Sequence, residues 1–158
     1  MTAEPLAERQ PRIRMGKSWK SRRQRAELFA AIRGFEYALT GCPSEPSWRH
    51  GVAAELGRLR AAFNQHVELT EGPDGLYAEV IGVAPRLANQ VSTLGREHEA
   101  VATSLAGLSD HIDSGHLDQE PERVRDLARQ LLKELSRHRQ RGADLVHEAF
   151  TTDIGGEN

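Results

Sequence analysis

The sequence predicts an all-α fold, an antiparallel up-down-up-down four-helix bundle, on three observations. Aromatic residues make up only 5% of the chain while Ala, Leu, Arg and Glu recur, a composition poor in the residues that favour sheets. Apolar residues return at intervals of three and four in four separate segments. Between those segments stand strong breakers: Gly41 with Pro43, Gly72-Pro73-Asp74-Gly75, and Gly115. Long amphipathic segments joined by short connections are the pattern of a helical bundle.

Each element follows from local signals. Residues 1–20 hold Pro5, Pro11 and Gly16 without a sustained apolar period, and read as a basic, flexible arm. The first helix is expected from Ser21, with Leu28, Ile32, Phe35 and Leu39 on one face. Ser47 is the expected N-cap of the second, whose apolar seam is Val52, Leu56, Leu59, Phe63 and His66. Leu76 to Val83 suits a short helical piece. The third long helix is expected from Pro85 to Asp113, with the seam Leu87, Val91, Leu94, His98, Val101, Leu105, Leu108 and Ile112. The fourth is expected to open at Asp118 or Glu120, with Pro121 in its first turn. Its seam is Val124, Ala128, Leu131, Leu135, His138, Gly142, Leu145 and Ala149. The bundle thus covers residues 21–152, and residues 153–158 form a tail.

Several function classes are excluded at this level. No apolar run approaches the roughly 20 residues of a membrane span, and mean hydropathy is −0.58. No apolar stretch follows the basic N-terminus as a secretory signal would require, so the expected location is cytoplasmic. A single cysteine, Cys42, rules out a disulfide framework within the chain. Nothing reads as a phosphate loop, a catalytic nucleophile or a helix-turn-helix. Charge is unevenly placed, with eight basic residues against Glu4 and Glu8 in residues 1–25 of a chain whose net charge is −2. Such an arm suits an anionic surface or a protein partner; the plain alternative is a solvated tail lying on the acidic body. Nucleic acid is not expected, because aromatic residues are too few for a stacking platform.

The informative residues are the histidines that interrupt the seams. His66, His98 and His138 each stand where the apolar pattern assigns a core position, on three different helices. An unpartnered buried imidazole costs a few kcal/mol, so three in one core call for hydrogen-bond partners or for a shared metal. Neutral imidazoles suit iron, zinc, copper or nickel, and bundle cores hold such sites where inward side chains meet at one level. His50 reads as exposed, His111 and His116 flank a loop, and His147 lies beside a seam position as a half-buried candidate. Cys42 reads as a bystander.

His66, the stretch Arg96-Glu97-His98-Glu99 and the stretch His138-Arg139-Gln140-Arg141 together resemble the hemerythrin-like, or HHE cation-binding, family over residues 22–150. The resemblance implies a four-helix bundle around non-haem iron, with oxygen or redox sensing or iron handling as its role and no enzyme required. It points to His66, His98 and His138 as ligands, with Glu71 and Asp144 as the nearest carboxylates. The chain departs from the family pattern in four places. Gln24 or Arg25 stands where the first helix would present a histidine, Thr70 follows His66 by four, Ala102 follows His98 by four, and Ala143 follows His138 by five. Five positions along a helix turn a side chain by about 140°, so Glu71 faces the centre only if the helix unwinds before Gly72-Pro73. Asp144, six from His138, lies about 120° off. Their plain readings are a solvated last-turn residue and a surface carboxylate paired with Arg141 or Arg137. The implied site holds one metal ion, non-haem iron first and zinc next. The alternative is a metal-free helical interaction module in which the site has decayed.

Overall fold

Helix-forming sequence runs through nearly all of the chain, and the computed structural model describes residues 12–151, with side chains from residue 20 onward. Helix α1 spans Arg12–Ala38, α2 Pro46–Glu71, α3 Leu76–Val83, α4 Ala88–Asp113, α5 His116–Gln119 and α6 Pro121–Thr151, with a 3₁₀ turn at Pro85–Leu87. No strand occurs among the described residues. The fold is all-α, and no described helix is long and apolar enough to cross a membrane.

Three boundaries differ from the expectation; the smallest difference is at the third long helix, where Pro85–Leu87 form a 3₁₀ turn and α4 starts at Ala88 rather than Pro85. Helix α1 begins at Arg12 rather than Ser21, so residues 12–20 are helical. One glycine, Gly16, costs a helix only about 1 kcal/mol, and the Arg and Lys residues around it are good helix formers. The expectations for residues 1–11 and for the tail at 153–158 fall outside the described residues. Helix α2 starts at Pro46 with Glu45 as its cap, and no side chain caps it. Proline's fixed φ suits the first helical position, which leaves Ser47 inside the helix. The short helix Leu76–Val83 and the opening of α6 at Pro121 are as expected. Gly115 takes φ 82 between α4 and α5, a left-handed conformation that only glycine adopts without strain.

The seams are buried and divide into two apolar clusters. The larger takes Leu28, Ile32, Phe35 and Leu39 from α1, Trp48 to Phe63 from α2, Val101, Leu105 and Leu108 from α4, and Val124 to Leu135 from α6. The smaller takes Tyr77 and Val80 from α3, Leu87, Val91 and Leu94, and Leu145 and Ala149 from α6. Each fully buried Leu or Phe contributes roughly 1.5–3 kcal/mol. Helices α4 and α6 cross both clusters, whereas α1 belongs to the larger alone and α3 to the smaller alone. The histidine positions fall between them.

Candidate metal centre

The boundary between the clusters is polar, and each long helix contributes to it. One turn beyond the larger cluster stand Gln24 on α1, His66 on α2, His98 on α4 and His138 on α6. His98 and His138 are each 2% exposed and Gln24 is buried beside them. Thr70, one turn after His66, is the remaining buried polar side chain among the described residues. Its hydroxyl donates to the carbonyl of His66 at 2.8 Å and its oxygen also faces the Tyr77 phenol.

The three imidazoles meet as the seams require. Ring centroids lie 5.0 Å apart for His66 and His98, 5.3 Å for His66 and His138, and 4.6 Å for His98 and His138. One nitrogen from each ring can be chosen so that all three lie within 4.8 Å of one another. Phe63 walls the group on the side of the larger cluster, its ring edge-on to His98 at 5.8 Å.

Hydrogen bonding sorts the six ring nitrogens. His98 Nδ1 donates to Glu71 Oε1 at 2.6 Å, and His138 Nδ1 donates to Glu97 Oε2 at 2.9 Å. Gln24 uses its amide nitrogen on the Ala62 carbonyl at 3.1 Å, which leaves its oxygen to accept from His66 Nδ1 at 3.3 Å. Every Nδ1 is therefore a donor, and in neutral rings every Nε2 carries a lone pair. His98 Nε2 accepts from the Tyr77 hydroxyl at 3.2 Å. His66 Nε2 and His138 Nε2 instead face each other at 3.1 Å. Two lone pairs at that distance repel; a proton on one of them or a shared cation resolves the conflict.

Electrostatics narrows the choice. Burial first, then the facing imidazoles of His98 and His138 and the Arg139 guanidinium, drive the His66 pKa from 6.5 down to about 3. His66 is thus neutral at ordinary pH and keeps its Nε2 lone pair. Burial also lowers the pKa of His98, with Glu71 opposing it. Burial pushes the Tyr77 phenol above its ordinary range, so it too is neutral. Carboxylate-to-Nδ1 bonds that leave Nε2 facing inward are the arrangement by which proteins fix metal-ligating histidines.

The other sequence-derived candidates are placed differently. Glu71 lies in the last residue of an unbroken α2 and faces outward of the imidazoles, on His98 Nδ1. No unwinding precedes Gly72, and the 140° rotation takes its carboxylate to a neighbouring ring's outer nitrogen. Asp144 is exposed and accepts from Gln140 Nε2 at 2.9 Å rather than pairing with Arg141 or Arg137. Six residues of helical rotation carry it away from the group. Nothing approaches Gly142 within 4 Å of an added Cβ. His147 is exposed rather than half-buried, and His50 is exposed as expected. His111 and His116 stack on each other at 4.1 Å, far along α4 from His98. Gln24, not Arg25, is the α1 residue turned inward.

Two members of the site, Glu97 and Tyr77, have no role in the sequence reading, and Gln24 enters it only as an alternative to Arg25 at the place of a missing histidine. Glu97 adjoins His98, yet nothing local says that it reaches across to α6. It also holds the Arg141 guanidinium in a close ion pair. Gln24 precedes Leu28 by four and so continues the α1 seam, a usable signal. Tyr77 sits in an eight-residue helix too short for periodicity to decide its face. What results is an all-helical protein with a cluster of three histidines, two buried and one half-buried, that could bind a metal. Comparison with protein-family models, curated proteins and solved structures returns no match.

Proposed function

We propose that the protein binds one transition-metal ion through Nε2 of His66, His98 and His138, within an antiparallel up-down-up-down bundle of its four long helices. One observation carries this reading. His66 Nε2 and His138 Nε2 face each other at 3.1 Å, while each Nδ1 has an oxygen partner on its outer side, Gln24 for His66 and Glu97 for His138. Two nitrogens bound to one ion at about 2.0–2.1 Å stand roughly 3 Å apart, so the spacing suits a shared cation. The resemblance to hemerythrin-like proteins favours non-haem iron, with a sensing or iron-handling role in the cytoplasm. Glu71 and Glu97 orient the rings instead of touching the ion, which favours one metal over two.

The test is elemental analysis of protein purified without an affinity tag, followed by anaerobic loading with ferrous iron and, separately, zinc. About one ion per chain is expected, lost in His98→Ala. Absence of any stoichiometric metal, with melting unchanged by chelator, overturns the reading. It would favour instead a metal-free interaction module, for which Tyr37 (80% exposed) and Phe29 (47% exposed) on α1 supply apolar contact surface. The exposed Arg22, Arg23 and Arg25 along the same helix suit an acidic partner or surface.

A further inference from the structure

We propose that Tyr77 is the fourth protein ligand, bound to the metal as a phenolate; this rests on the metal reading above. Helix α3 contributes only two buried residues, Val80 and Tyr77. Val80 fills the smaller cluster, while Tyr77 spans from that cluster to the histidines. Its ring stacks on His98 at 5.6 Å and 12°, and its hydroxyl ends 3.2 Å from His98 Nε2. Two ligand atoms on one ion stand roughly 3 Å apart. His66 with His138 (3.1 Å) and His98 with Tyr77 (3.2 Å) both have that spacing.

Charge gives the second argument. Three imidazoles bring no anionic donor atom to a cation in a site whose His98 and His138 are 2% exposed. The nearby carboxylates are occupied on the outer nitrogens, Glu71 on His98 and Glu97 on His138. The Tyr77 oxygen is the group that can become an anion and already meets an inward Nε2. When the ion binds, the O–H bond breaks, its proton leaves to solvent, and the oxygen's electron pair goes to the metal. His98 Nε2, no longer accepting from the phenol, is free to bind the same ion. Hard, anionic oxygen alongside nitrogen favours ferric over ferrous iron.

The test loads the full chain with ferrous iron, oxidises it in air, and records visible absorption and resonance Raman spectra. A phenolate-to-iron charge-transfer band with tyrosinate ring modes is expected in the wild type. Tyr77→Phe should bind the same amount of iron and lose the band. The chain has two tyrosines, so Tyr37→Phe leaves Tyr77 alone and should keep it. That variant decides the matter even if Tyr77→Phe fails to fold. Iron bound without a band, or a band that survives in Tyr77→Phe, overturns the Tyr77 assignment and leaves the three-histidine reading standing. Failure to take up iron, zinc or copper at all removes both.

Discussion

From Leu28 to Leu39, and at the matching levels of α2, α4 and α6, the long helices bring aliphatic and aromatic side chains together. One turn away, at Gln24, His66, His98 and His138, the same helices bring nitrogen against nitrogen. The first region is held by area removed from water and tolerates any well-fitted apolar residue. The second is held by directed bonds, in which each ring has a specified tautomer and partner. A core can be stable without such a layer, so the layer is a cost that the larger cluster offsets. The labour is divided: apolar packing supplies stability in one region, and directed polar contacts fix side-chain orientation in the other.

The largest effect is expected from damage to the apolar side. Leu135→Ala should cost about 2–5 kcal/mol in urea unfolding, since Leu135 is fully buried in the larger cluster. Metal content should stay the same. Loss of metal in this variant would show that the two regions are not separable.

The converse change touches only the layer. Glu97→Gln leaves a hydrogen-bond acceptor for His138 Nδ1 but removes the negative charge of the carboxylate behind the ring. Metal affinity should fall roughly 10- to 100-fold with melting little altered. Unchanged affinity would mean that Glu97 serves chiefly to hold Arg141.

Much of this was legible in the sequence. Leu28, Ile32 and Phe35, or Leu94, Val101 and Leu105, declare their burial because a helix repeats its face every three to four residues. The same rule placed His66, His98 and His138 inward. It failed for partners across helices: Glu71 was read against His66, on its own helix, and the structure gives it to His98 on another. Pairings such as Glu97 with His138 depend on the axial offset between α4 and α6, which no single-helix period encodes. Tyr77 escaped because it is the second residue of an eight-residue helix, too short to define a face. The early start of α1 escaped because Gly16 weakens a helix without ending it.

A smaller effect concerns pH in metal-free protein. Between pH 6.5 and about 3 the unfolded chain binds a proton at residue 66 that the folded protein excludes. Stability therefore rises with pH through that window, is complete above it, and declines as pH falls below 6.5. Unfolding free energies from urea titrations at pH 7 and pH 5 should differ by about 1 kcal/mol or more at fixed ionic strength, and the difference should shrink in His66→Gln. Equal slopes in both proteins would place the sensitivity elsewhere. Smallest of all is Asp144→Asn, expected to change stability by less than about 0.5 kcal/mol and metal content not at all. A clear loss of metal there would return Asp144 to the site.

The sharing of helices between the clusters has a consequence for motion. Because α4 and α6 run through both clusters, neither can release one without disturbing the other, and their central amides should exchange with solvent only on global unfolding. Helix α3 is different: it rests on the smaller cluster alone, between Gly75 and the turn at Pro85. Its amides should exchange by a local opening at lower free energy. Such an opening lifts Tyr77 from His98 and uncovers the imidazoles while the larger cluster stays intact, and its frequency sets an upper limit on how fast the buried nitrogens can be reached through that side.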